Sequence, residues 1–272
     1  MGKLSHRFIF PNLSFIDLSH NNFSGPIPLS FTDVDHLSLK GNFFSGPIPS
    51  NISDLMPKLQ YLDLSENLLS GTIPLSIMKL NDLEGIYLRS NQLSGELPHH
   101  WNESQRLLVV DIAYNNLSGK IPSSMGFLSS LYVLVLSNNN LHGEIPSSLQ
   151  NCSFVKSIDL GGNHLSGNLP LWIQSYIQII RLRSNLFSGI IPRQWCNLQY
   201  LHILDLAQNN LFGGIPDCLD DLNTLVHGSS SEMFVPNSRY IEKAIIVDVQ
   251  EVEASGADSL KGNLETFADV WD

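Results

Sequence analysis

The chain has 272 residues, 43% of them hydrophobic, and a formal net charge of −11. That is enough apolar material for a core, while the excess of acid argues against a nucleic-acid binder, whose affinity rests on Lys and Arg neutralising phosphates. Three cysteines, Cys152, Cys196 and Cys218, are too few for a disulfide scaffold and lack the CxxC spacing of a thiolate metal site.

The chain begins MGKLSHRFIF, with Lys3 and Arg7 but without the apolar run of about 7 to 15 residues that makes a signal peptide. No stretch reaches the ~18 apolar residues of a membrane helix. From residue 13 onward one phrase recurs. Each copy of LxxLxLxxN closes on an Asn, at positions 21, 42, 67, 91, 115, 139, 163, 185 and 209, and each is followed by Gly four residues later and Pro seven residues later. The four steps from 67 to 163 are 24 residues each, and a fixed period of this length marks a stacked-repeat architecture.

The fifth copy shows what one unit does. Alternation around Leu107, Val110 and Ile112 predicts a short strand facing a core, which Leu117 and Ile121 continue past a bend. Asn115 ends the strand, where its amide can donate to and accept from backbone groups that the bend leaves unpaired, so stacked copies form an Asn ladder. Gly119 suits unusual backbone angles, and Pro122 closes a second extended piece because it has no N–H for a sheet. One unit cannot bury its own apolar face. Units therefore stack at ~4.8 Å into a curved α/β repeat solenoid, with a concave parallel sheet and short 3-10 or irregular segments on the convex side. This reading gives nine repeats over residues 1–225 and a tail over 226–272. Residues 1–218 hold 15 acidic and 12 basic groups, whereas 219–272 hold 11 and 3, so the tail differs in kind from the body.

Over about residues 13 to 225 the phrase resembles the plant-type leucine-rich repeat, LxxLxLxxNxLSGxIPxxLxxLxx. The resemblance implies an extracellular recognition module of a receptor kinase, of a receptor-like protein without a kinase, or of a secreted inhibitor of cell-wall-degrading enzymes. Trp195-Cys196-Asn197-Leu198 and the following LHILDLAQNNLFGGIPDCL look like the last repeats before the non-repeat island of receptor-like proteins, and SRYIEKAIIV at 238–247 resembles the opening of that island. In that family the island precedes further repeats, an acidic spacer, a membrane helix and a short cytoplasmic tail. A signal peptide and a cysteine-paired cap precede the first repeat. The expectation is therefore an internal piece of such a receptor, its exposed end coils prone to aggregation, acting in defence or developmental signalling at the extracellular face of the plasma membrane. The implied partners are a peptide or protein ligand and a co-receptor kinase. A polygalacturonase-inhibitor-like protein and an inert truncated receptor product are the alternatives.

No HExxH, GxSxG, GxxxxGK[ST] or helix-opening GxGxxG is present, so neither an enzyme nor a cofactor is expected. His99-His100 has no third ligand in view for a metal. The Asp series 17, 63, 111, 159 and 205 falls in alternate repeats, ~10 Å apart on an open face, which repeat consensus explains better than catalysis. The outward column of the concave sheet reads Asp17, Ser38, Asp63, Tyr87, Asp111, Val135, Asp159, Arg181 and Asp205, flanked by Lys40, Arg89 and Arg183 on one side and by Phe15, His36 and Tyr61 on the other. Large aromatic and Arg groups on an exposed sheet are what binding hot spots use, so Tyr61, Tyr87, Arg89, Arg181 and Arg183 are the candidate ligand residues. Cys196 and Cys218 lie 11 and 9 residues after successive ladder Asn, on adjacent coils, a spacing that predicts a disulfide and leaves Cys152 free and buried. Asn-x-Ser sequons at Asn12, Asn22, Asn51, Asn102, Asn116 and Asn151 are candidate glycosylation sites.

Overall fold

The computed structural model describes residues 2–3, 13–28, 34–101, 103, 105–219 and 244–246. In the fifth repeat, Val109–Asp111 is the concave strand, paired in parallel with Gly85–Tyr87 on one side and Val133–Val135 on the other. Leu107, Val110, Ile112 and Leu117 are fully buried, and Ile121 is 3% exposed. After the bend comes the second strand, Asn116–Gly119, and then the 3-10 helix Ser123–Phe127, whose N-cap is Pro122. Proline suits that place, because the first N–H groups of a helix have no partner inside it and the ring already holds a helix-compatible φ.

Stacking this unit produces two parallel sheets. Each of the nine repeats contributes one strand to the concave sheet and one to the sheet beside it, and each sheet has a tenth strand. Gly2–Lys3 pairs with Phe23–Gly25. At the other end Ala244–Ile246, within the island-like segment, runs parallel to Ile203–Asp205 and extends the concave sheet. The rest of 220–272 lies outside the described residues. The convex side carries short 3-10 helices and one four-residue α-helix, Ile52–Leu55. A single apolar core runs the length of the stack from Ile16 to Leu219.

From Asn42 to Asn209 the ladder is built almost identically at each rung. Asn139 Oδ1 accepts the Leu117 N–H of the preceding repeat at 3.0 Å, while its Nδ2 donates to Ile112 of that repeat and to Leu136 and Ser137 of its own. The residue before each ladder Asn is left-handed in all nine repeats, with φ between 54° and 65°. Only two of these residues, Gly41 and Gly162, are glycine. A side chain there costs roughly 1–2 kcal/mol, and the backbone bonds show what offsets it. Tyr114 donates its N–H to Ser137 and accepts from the Asn91 N–H, so the left-handed turn bonds the coil to both neighbours.

Asn139→Ala is expected to destabilise the protein by ~1–3 kcal/mol, because it orphans a buried N–H and three carbonyls. Asn21→Ala should cost far less, since Asn21 is exposed and among the described residues reaches only Leu18 and Ser19 of its own repeat. Denaturant melts of the two variants giving equal losses would contradict the ladder as a source of stability.

Candidate binding face

The concave Asp residues have a structural task that repeat consensus alone does not reveal. Asp17, Asp63, Asp111, Asp159 and Asp205 each accept, through Oδ1, the backbone N–H two residues on, at 2.9 to 3.2 Å. The strand thus bends on a carboxylate. Burial pushes Asp63, Asp159 and Asp205 above the usual carboxylate range, opposed by the backbone N–H bonds and, at Asp159 and Asp205, by arginine.

The second oxygens of three of these carboxylates hold the candidate arginines. Arg89 Nε donates to Asp111 at 2.9 Å, and its guanidinium lies 5.2 Å from the Tyr114 ring centre. Arg181 stands 3.9 Å from Asp159, and Arg183 stands 3.7 Å from Asp205. All three pairs bridge neighbouring repeats. Each arginine therefore also neutralises a carboxylate of the sheet, and Arg183, with 44% of its side chain exposed, is the most open of the three.

Tyr61 and Tyr87 belong to an aromatic stack that crosses repeats. Phe15 lies on His36 at 4.4 Å, His36 on Tyr61 at 4.1 Å and nearly parallel, and Tyr61 on Tyr87 at 4.9 Å. Burial raises both phenols, Tyr87 to about 12, with Asp63 adding to the effect, so each stays a protonated donor at physiological pH. Column positions place Tyr87 outward and Phe15, His36 and Tyr61 on its flank, but do not show that the rings stack.

Strand positions alone also pass over a ridge on the edge of the sheet. Lys156 sits 4.9 Å from the Tyr176 ring centre and 5.9 Å from that of Tyr200, and the two rings are 5.7 Å apart. Phe154, 65% exposed, stands at the same repeat position as the two tyrosines. Reading the column just before each strand, rather than the strand alone, would have found it.

Cys196 and Cys218 are joined in a disulfide, with their Cα atoms 5.5 Å apart. Cys152 is a buried thiol that desolvation pushes up to about 11. Of the sequons, Asn22, Asn51, Asn116 and Asn151 are exposed, and Asn12 and Asn102 lie outside the described residues. His99 is bonded to Glu96 at 2.8 Å. Among the described residues no cluster of three or more His, Cys, Asp or Glu could hold a metal ion, and no helix is long and apolar enough to cross a membrane.

A long curved sheet with a few large side chains standing on it is a recognition scaffold. The surface is set by the repeats and the chemistry by single positions. Leucine Rich Repeat models match residues 12–34, 33–55, 58–80, 106–128, 130–152, 154–176 and 200–222, and the chain belongs to the leucine-rich-repeat family. The structure of PEPR1 with AtPEP1 matches 82% of this chain and 32% of that one, with 33% identity and a TM-score of 0.77. The plant peptide hormone receptor RGFR1, solved with RGF2, matches 77% of this chain and 34% of its own, with 36% identity and a TM-score of 0.72. The Arabidopsis receptor kinase HAESA, solved with the peptide hormone IDA and the co-receptor SERK1, matches 78% and 40%, with 30% identity and a TM-score of 0.70. The chain thus spans between 32% and 40% of the length of these receptor chains. A comparison with curated protein sequences gives no significant match. The fold is that of these plant receptor ectodomains.

Proposed function

We propose that this chain is the ligand-reading part of a plant cell-surface receptor-like protein, facing the extracellular side in defence or developmental signalling, and that its concave face takes an extended peptide or a protein edge. The observation that carries this reading is the placement of Tyr87 and Arg89 on repeat 4 and of Arg181 and Arg183 on repeat 8 of one sheet, with Tyr61 beside the first group. Four repeat steps at ~4.8 Å separate the groups by ~19 Å, the reach of about six extended residues at ~3.3 Å each and more than a small molecule spans. Acidic groups of the ligand would meet the guanidiniums. A co-receptor kinase is the further partner that this reading proposes, by analogy with the SERK1 bound to HAESA. Glycosylation at the exposed Asn22, Asn51, Asn116 and Asn151 belongs to the same reading.

The test uses a display library of random twelve-residue peptides on the immobilised protein, followed by titration of the enriched peptides. Arg181→Gln with Arg183→Gln is the variant of choice. Glutamate at either place would face Asp159 or Asp205 and confound binding with folding. Expected is enrichment of acidic peptides, with binding at least ten-fold weaker in the variant and a shallower salt dependence, as loss of charge-assisted bonds implies. Unchanged affinity and salt dependence would remove these arginines from the ligand site.

A further inference from the structure

A recess opens on the edge of the concave sheet in repeats 1 to 4, four repeats or more from Arg181 and Arg183. Its floor is the stack of Phe15, His36 and Tyr61, and its rim includes Asp35, Gln60 and Glu84. The rim residues occupy one column, each standing one place before its concave strand. Strand pairing aligns His36 with Tyr61 and Tyr61 with Gly85, which puts Asp35, Gln60 and Glu84 on successive coils. At ~4.8 Å per coil the two carboxylates are ~10 Å apart with an amide between them.

The contact between Tyr61 and Tyr87 depends on Gly85. A Cβ at that position would lie 2.9 Å from Tyr87 Cε2 and 3.2 Å from Tyr61 Cδ2, so a side chain there would push the rings apart. Glycine weakens a strand interior. Here it lets Tyr61 lean on Tyr87 from one repeat away. His36 is stacked between Phe15 and Tyr61.

The charge of the recess is not compensated from within. Asp35 and Glu84 form no ion pair among the described residues, in contrast to Asp111, Asp159 and Asp205, each of which faces an arginine. Neither Lys40 nor Lys58, the lysines of repeats 2 and 3, pairs with Asp35 or Glu84 among the described residues. Lys40 is 3.1 Å from Glu66, and Lys58, two residues before Gln60, has a partner of its own. Stacked rings beside a carboxamide and two carboxylates that form no ion pair among the described residues fit a side chain that is aliphatic along its stem and cationic at its head. Arginine fits better than lysine, since its planar fork can donate to a carboxylate and to the Gln60 carbonyl oxygen together.

We propose that this recess is a subsite for an arginine side chain of an extended peptide ligand, so that the face reads a dipolar peptide, its basic residue at repeats 2 to 4 and its acidic residue at Arg181 and Arg183. The proposal rests on the peptide-binding reading above and gives that ligand a direction. Repeats 3 and 8 are five steps apart, ~24 Å, so the two charges of the ligand should be separated by roughly seven residues.

The experiment is the same twelve-residue library run on the full chain, on Asp35→Asn with Glu84→Gln, and on Arg181→Gln with Arg183→Gln, each variant first checked for an unchanged melting temperature. The wild type should enrich peptides with a basic residue, arginine over lysine, about seven places from an acidic one. The Asp35/Glu84 variant should lose the basic preference, keep the acidic one, and bind wild-type-selected peptides roughly ten-fold or more weakly, the loss expected for a charge-assisted bond. The arginine variant should show the reverse. Acidic peptides enriched with no basic preference, or a basic preference that survives Asp35→Asn with Glu84→Gln, would overturn the subsite and leave the peptide-binding reading standing. No enrichment on the wild type would overturn both.

Discussion

Trp195→Ala is expected to remove about 3–5 kcal/mol of stability, the cost of a large buried aromatic cut to a methyl group. Trp195 is 1% exposed and lies in the 3-10 helix Arg193–Asn197 of the eighth repeat, with its ring in the core. Its Nε1 donates to the Pro170 carbonyl at 2.9 Å. That carbonyl is open for a specific reason. In repeats 2, 3, 5, 6, 8 and 9 the matching proline carbonyl caps the first turn of a helix, as Pro122 accepts from Met125 and Pro146 from Leu149, but repeat 7 is 22 residues long and has no helix after Pro170. Trp101 occupies the same repeat position as Trp195 and is 2% exposed, yet its Nε1 has no partner among the described residues. Both Trp195→Phe and Trp101→Phe shrink a buried ring, so Trp195→Phe should cost ~1–3 kcal/mol more than Trp101→Phe, the share of the orphaned carbonyl. Equal melts for the two phenylalanine variants would show that the Pro170 bond contributes nothing.

Cys196→Ser with Cys218→Ser should cost about 3 kcal/mol in the chain-entropy account of a cross-link closing a 22-residue separation. The loss should also be local. In a stack where each repeat contacts only its neighbours, a clamp between coils 8 and 9 protects those coils first. Hydrogen exchange in the variant should quicken over residues 185–219 and stay unchanged over repeats 3 to 5. A uniform rise along the whole solenoid would mean that the repeats unfold as one unit and not from the end. Cys152 serves as an internal control. Its thiol is buried and its ionisation suppressed, so a thiol reagent should label it only as repeats 6 and 7 open.

Much of this was legible in the sequence because a solenoid makes long-range structure local. Leu107, Val110, Ile112 and Leu117 meet the same environment in their coil as their counterparts do in the next, so one phrase repeated nine times stated the strand, the bend, the ladder and the core. The positive φ of Gly119, +81°, follows from the same phrase. The left-handed residue before each ladder Asn did not. Glu66, Ser90 and Tyr114 carry no sign of it, since the backbone bonds that hold it come from the two adjacent coils and not from the residue itself.

The binding face divides along the same line. That Tyr61, Tyr87, Arg89, Arg181 and Arg183 stand on the concave sheet was readable from column positions, as was the nearness of Cys196 to Cys218. Which of these groups is open to a ligand was not, because that depends on where each side chain turns among its neighbours. Arg89 is taken up by Asp111 and Tyr114, while Asp35 and Glu84 have no ion pair among the described residues. Sequence by itself determined the scaffold, because period and burial are properties of one coil. Tertiary structure decided the free charge and the aromatic floor of the recess, because ion pairs and ring stacks are properties of two coils and of the side-chain directions between them.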